Sequence, residues 1–170
     1  GQYENSINTF TEFGERYKTG LWVEQAFYEW AVSSFESGQY GNAIETLLTL
    51  IRNEKNLQDP GKVYTLLGES YFANNEFTRA SVAFEEAEKI AGIDPELRRQ
   101  ARFQKAWILY RNQAYEQAQP IFESVYAETP TSEIGAEALF WSADSYYKLQ
   151  QYGDAAQRFS IFIRNYPNHE

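Results

Sequence analysis

The sequence predicts an all-α protein, a right-handed α-solenoid of antiparallel helix pairs, and three observations carry that expectation. First, one position recurs as Tyr3, Tyr40, Phe77, Tyr115 and Tyr152, at steps of 37, 37, 38 and 37 residues by subtraction. Three residues after it comes a small residue (Ser6, Ala43, Ala80, Ala118, Ala155), and four further on a large apolar one (Phe10, Leu47, Phe84, Phe122, Phe159). Second, the spacing inside a period is helical. Tyr64, Leu67, Gly68 and Tyr71 fall at i, i+3, i+4 and i+7, and after a break at Ala73-Asn74-Asn75-Glu76 a second face follows with Phe77, Ala80, Phe84 and Ala87. Third, neither helix can bury its apolar face alone, and copies of the unit stand in register on both sides of it. Small Gly68 and Ala80 let the two helices of the pair approach closely.

Residues 2–17 read as half a repeat, a second helix with no first helix before it; the alternative is a degenerate N-terminal capping helix. Tyr3, Ser6, Phe10, Phe13 and Tyr17 match Tyr152, Ala155, Phe159, Phe162 and Tyr166 of the last repeat. The first full repeat, 21–57, has helices over 21–37 and 40–53, with Phe27, Trp30, Ala31 and Ser34 on the packing face of the first and a turn at Ser37-Gly38-Gln39. Repeat two, 60–94, has helices over 60–73 and 77–91. Gly92 is placed to end the second, and Asp94-Pro95 reads as an N-cap followed by Pro at the first helical position. Repeat three, 95–130, has helices over 95–112 and 115–128. Arg102, Lys105, Ala106 and Leu109 are expected at the packing positions of the first, and Pro120 is tolerable only in the early turns of the second. Repeat four, 131–168, has helices over 132–149 and 152–165, with Leu139, Ser142, Ala143 and Tyr146 on the packing face. Its last helix shows Phe159, Phe162, Ile163 and Tyr166, enough apolar surface to expect another repeat or a partner there.

Composition narrows the function. Of 170 residues 17% are aromatic, so the seams between helices are packed with Phe and Tyr rather than Leu. The formal net charge of −9 argues against nucleic acid, which wants a basic stripe, and against an anionic membrane surface. No apolar run reaches the length that spans a bilayer, so no direct membrane insertion is expected. There is no cysteine, hence no disulfide, thiol nucleophile or Cys-held metal. Gly1 reads as a cut within a longer protein, with any targeting segment removed.

The pattern aromatic-x2-Leu-Gly-x2-Tyr…Ala-x3-Phe…Pro, carried by Tyr64, Leu67, Gly68, Tyr71, Ala80, Phe84 and Pro95, resembles the tetratricopeptide repeat (TPR). The step of 37 to 38 residues and the Tyr-Pro terminator at Tyr166-Pro167 resemble, within that family, the TPR proteins of the bacterial cell envelope. That group includes the outer-membrane assembly lipoproteins of the BamD type and the periplasmic coordinator of the Tol-Pal system. The resemblance implies a periplasmic or outer-membrane-associated protein, with the cytoplasm as the alternative. Its motifs are structural positions, so it implies a scaffold and leaves the partner open.

No constellation for catalysis is legible. The single His169 is next to last, nothing matches a phosphate loop or a calcium loop, and Glu85, Glu86 and Glu88 read as a solvated helix face. The expectation is a non-enzyme without cofactor or metal. A binding surface is more promising. By the resemblance, the inner wall of such an array is lined by first-helix residues pointing away from the second helix. The rows at those positions are Phe35, Phe72, Tyr110 and Tyr147; Val32, Glu69, Trp107 and Asp144; and Tyr28, Thr65, Phe103 and Phe140. Stacked at i, i+4 and i+7, they make a largely aromatic groove floor with Glu69 and Asp144 as its charges, fitted to a peptide or protein segment. The alternative is that they pack on the neighbouring repeat. A Lys/Asn/Arg clamp for a C-terminal carboxylate, as in chaperone-cofactor members of the family, is absent from these positions, and Glu69 would repel a carboxylate. Arg98, Arg99, Arg102, Lys105 and Arg111 form a basic patch that reads as solvated or paired with nearby Glu. A second reading is a structural spacer that self-associates through Phe10, Phe13, Phe159 and Phe162 at the exposed repeat ends.

Overall fold

A computed structural model of the chain describes residues 21–53 and 57–167. The half repeat at 2–17, with Phe10 and Phe13, and the terminal His169 lie outside the described residues. Among the described residues there are eight α-helices and no strand, which makes the fold an all-α solenoid of helix pairs. The helices are α1 (Leu21–Glu36), α2 (Tyr40–Asn53), α3 (Pro60–Ala73), α4 (Phe77–Lys89), α5 (Pro95–Arg111), α6 (Tyr115–Glu128), α7 (Glu133–Lys148) and α8 (Tyr152–Asn165). Each begins and ends within two residues of its expected position.

Three first helices, α3, α5 and α7, are capped by side chains at their starts. Asp59 accepts the Lys62 N–H at 3.1 Å ahead of Pro60, and Asp94 accepts the Glu96 N–H at 2.7 Å ahead of Pro95. Ser132 accepts the Gly135 N–H at 3.1 Å. Pro120 sits in the second turn of α6 with its side chain exposed, and the helix runs on to Glu128.

One turn is built four times. Gly38, Asn75, Gln113 and Gln150 carry positive φ, at 73°, 63°, 62° and 62°, and each links the first helix of a pair to the second. Beyond each, an N–H reaches back to the end of the first helix: Gln39 to Ser34, Glu76 to Tyr71, Ala114 to Leu109 and Gln151 to Tyr146, at 2.8 to 2.9 Å. Across the turn an aromatic pair closes, tilted for Phe35 with Tyr40 and edge to face in the other three. The ring centroids are 5.5 Å apart for Phe35 and Tyr40, 5.4 Å for Phe72 and Phe77, 5.2 Å for Tyr110 and Tyr115, and 5.5 Å for Tyr147 and Tyr152.

The chain divides into two compact units, residues 1–90 and 91–170. In the first, α1 packs on α2, α2 on α3 and α3 on α4, over a core that includes Phe27, Ala31, Leu47, Leu50, Leu67 and Phe84. Gly68 is required there, because a Cβ on it would lie 2.5 Å from the buried Phe84 ring. In the second, α5, α6, α7 and α8 pack in sequence over Phe103, Ala106, Ala118, Phe122, Val125 and Ala138. Glu123 of α6 ties three helices together. It accepts from the buried Ser142 hydroxyl of α7 at 2.9 Å and holds the Arg158 guanidinium of α8 at 2.8 and 2.9 Å.

One packing face differs from expectation. On α5 the buried residues are Ala101, Phe103, Ala106 and Ile108, whereas Arg102 and Lys105 are half-buried. Phe103 meets the Phe122 ring at 5.5 Å, and Arg102 instead reaches the Glu128 carboxylate at the end of α6.

Candidate functional site: the first-helix walls of the two units

In each unit the first helices of successive pairs lie side by side, α1 against α3 and α5 against α7. The wall of the second unit carries most of the aromatic surface. Trp107 and Trp141 meet edge to face at 6.3 Å, and Tyr110 lies 5.0 Å from Trp141. All three rings are half-buried. The Arg111 guanidinium stands over Trp107 at 5.2 Å. Asp144 accepts the Tyr110 hydroxyl hydrogen bond and has Lys148 at 3.9 Å. Burial, then the hydrogen bond to Asp144 and its charge, raise the Tyr110 hydroxyl well above the ordinary tyrosine value.

One turn nearer the helix starts, the same wall opens into a cleft of about 380 Å³. Its sides are Glu96, Gln100, Phe103 and Gln104 of α5, and Ser132, Glu133, Ile134 and Glu137. The first unit has a cleft at the corresponding place, about 490 Å³, lined by Glu24, Gln25, Tyr28, Glu29, Gln58, Asp59, Lys62 and Val63. There the Glu24 carboxylate is buried and accepts the backbone N–H of Gln58 at 2.9 and 3.0 Å, tying α1 to the entry of α3. Lys62 pairs with Asp59 at 3.1 Å. Burial raises the Tyr28 hydroxyl, opposed by Lys62 and reinforced by Glu69.

The expected groove residues thus divide among different surroundings. Trp107, Asp144 and Tyr110 come together on the second unit's wall, and Tyr28 lines the first unit's cleft. Val32 and Glu69 are half-buried on α1 and α3. Phe103 is 7% exposed and belongs to the core, with only its edge at the floor of the cleft. Phe140 packs on Phe159 and Phe162 of α8, at 5.7 and 5.6 Å, which places it among the residues of the last helix. Phe35, Phe72, Tyr110 and Tyr147 each pair with the aromatic residue that opens the second helix of their own hairpin, and Tyr110 also touches Trp141 and Asp144 of the next repeat. The sequence reading missed Trp141, Gln104 and Glu137. Trp141 corresponds by register to Glu29, Leu66 and Gln104, so a search for a recurring aromatic passes over it. Its signal is the helical spacing Glu137, Trp141, Asp144, Lys148.

The basic patch is largely engaged: Arg99 pairs with Glu96, Arg102 with Glu128, and Arg111 covers Trp107. Among the described residues no three acidic or histidine side chains converge to hold a metal ion, and no helix is long and apolar enough to cross a membrane.

Stacked helical hairpins with a repeated turn and an aromatic first-helix wall define a helical-repeat protein of the interaction type. The chain carries tetratricopeptide repeats: two profiles of that family match it, one over residues 65–133 and the other over residues 137–169. Similar solved structures share the fold. YrrB, described as a TPR protein with an unusual peptide-binding site, aligns with a TM-score of 0.72 at 18% identity, covering 99% of this chain and 84% of that one. A MamA fragment from Desulfovibrio magneticus RS-1 aligns with a TM-score of 0.71 at 20% identity, over 86% of this chain and 77% of the other. A double mutant of MamA from RS-1 gives 0.71 at 21%, over 86% and 76%.

Proposed function

We propose that this chain is a non-catalytic scaffold that binds a peptide or protein segment on the first-helix wall of residues 91–170. The observation that carries this reading is the half-buried Trp107–Trp141–Tyr110 cluster, flanked by Arg111, Asp144 and Lys148. Large rigid rings that are only partly buried supply contact area at small entropic cost, and the helices that hold them are already ordered. The compartment we propose is the bacterial cell envelope, on the resemblance of the repeat length and the Tyr-Pro terminator to that subfamily. The test is a capture experiment from source-cell envelope extract with the wild-type chain and a Trp107→Ser, Trp141→Ser variant that keeps its helical circular dichroism. A protein held by the first and lost by the second is the expected result. Equal capture by both overturns the wall as the binding site.

A second reading, self-association, is favoured by a specific feature. Ile163 is 68% exposed, Tyr152 59% and Phe140 37%, and Phe140 packs on the half-buried Phe159 and Phe162. The register-equivalent Phe122 and Phe103 are covered in the preceding pair. The occupant on this reading is a second copy of the chain.

A further inference from the structure

We propose that the cleft between α5 and α7 seats one Lys or Arg side chain of the bound segment, with an aromatic or leucine side chain two residues away resting on Trp107 and Trp141. The inference rests on the peptide-binding reading above and states which segments the wall takes.

The cleft has an apolar floor and an acidic rim. Phe103 and Ile134 form the floor, Glu133 and Glu137 stand on the rim, and no Lys or Arg lines it. A third carboxylate, Glu96, is engaged by Arg99. Among the described residues neither Glu133 nor Glu137 is in an ion pair or a side-chain hydrogen bond. The corresponding cleft of the first unit supplies the comparison. Lys62 stands 75 residues before Glu137, at the same place in the repeat, and it projects its ammonium among carboxylates, 3.1 Å from Asp59 with Glu24 and Glu29 also lining the space. One copy of the cleft therefore holds Lys62 among its carboxylates, and in the other Arg99 engages Glu96 while Glu133 and Glu137 have no cation of the chain beside them. A Lys or Arg is the side chain that suits both surfaces: its methylene stem covers Phe103 and Ile134, and its head reaches Glu133 and Glu137.

The second anchor follows from helix geometry. Trp107 and Trp141 lie about one helical turn beyond Gln104 and Glu137, roughly 5.4 Å along the axes. An extended segment advances about 6.6 Å over two residues and points those two side chains the same way. Charge favours the same occupant, because the net −9 of the chain draws cationic segments toward it.

The probe is a displayed library of random short peptides selected on the wild-type chain. Enriched sequences are then synthesised with a fluorophore and titrated by anisotropy. The expected result is enrichment of Lys or Arg two residues from an aromatic or leucine residue. Binding should weaken about ten- to hundredfold in Glu133→Gln, Glu137→Gln. Glu137→Lys, which places a lysine where the first unit has Lys62, should weaken it further. All variants are first shown to keep wild-type helical content. Peptides lost by Trp107→Ser, Trp141→Ser but held equally by the Gln variant overturn the cation seat and leave the wall reading standing. Peptides indifferent to both sets of changes, or no enrichment at all, overturn both.

Discussion

Gly135 stands where α7 leaves Thr129, and a Cβ on it would run into the Thr129 carbonyl oxygen, well inside contact distance. Backbone cannot yield as a side-chain tip can, so Gly135→Ala has to push the start of α7 away and disturb the Ser132 cap. A loss of about 2–3 kcal/mol in urea unfolding is expected. Gly41, near the start of α2, has open space where a methyl group would stand, with nothing within 4 Å, and Gly41→Ala should be neutral or stabilising by up to about 1 kcal/mol. Equal effects of the two changes would contradict the close approach. Tyr110 makes a pH prediction at the same scale. Its hydroxyl is raised in the folded chain by burial and by Asp144, so the folded form keeps its proton where the unfolded form loses it. The stability this contributes is present below the ordinary tyrosine value of about 10 and is lost as pH climbs above it. Burial shifts Tyr28, Tyr71 and Tyr166 in the same direction. Unfolding free energy should therefore fall above pH of about 10, less steeply in Tyr110→Phe than in wild type. Identical slopes would remove Tyr110 from the effect.

Helices in this protein are joined in two ways, by turns that repeat and by polar ties that do not. The repeated turn depends on one left-handed residue and one aromatic pair per hairpin, both set within a few residues of sequence. The Glu123 tie belongs to one place only. It holds a buried Ser142 hydroxyl and a two-point contact with Arg158, so Glu123→Ala leaves a buried donor and a cation without their acceptor. A cost of about 1.5–3 kcal/mol is expected. Ser142→Ala with Glu123→Ala should cost less than the sum of the single changes, because the orphaned donor is then gone. Additive losses in a double-mutant cycle would show that the hydrogen bond carries no coupling. The α5 face illustrates a limit of periodicity. Moving one residue along a helix turns the direction by about 100°, and α5 offers Phe, Trp, Leu and Ile on most sides. A stripe containing Arg102 and one containing Phe103 were both plausible by spacing. The Phe122 ring, which Phe103 meets, decided between them.

For the whole molecule, the formal net charge is −9 and apolar side chains of α8 stand exposed. Ile163, at 68%, is the most exposed large apolar side chain among the described residues. If copies of the chain meet through this surface, sedimentation should show a concentration-dependent dimer that Ile163→Glu abolishes while capture of the Trp-dependent partner persists. A monomer at all concentrations would remove the self-association reading and leave the wall.

Sequence alone carried the repeat length, the number and bounds of the described helices, and the small residues at close approaches. These depend on local spacing and on identities that recur in register, and Gly68 against Phe84 shows one such position confirmed by contact. Packing decided which side of each first helix is wall and which is core. It sent Phe103 inward, set Phe140 against α8, turned the Phe35 row into turn clamps and brought Trp141 beside Trp107. The reason is physical: an amphipathic pattern tells an apolar side from a polar one, and a helix apolar on most sides takes its orientation only from the neighbours that cover it.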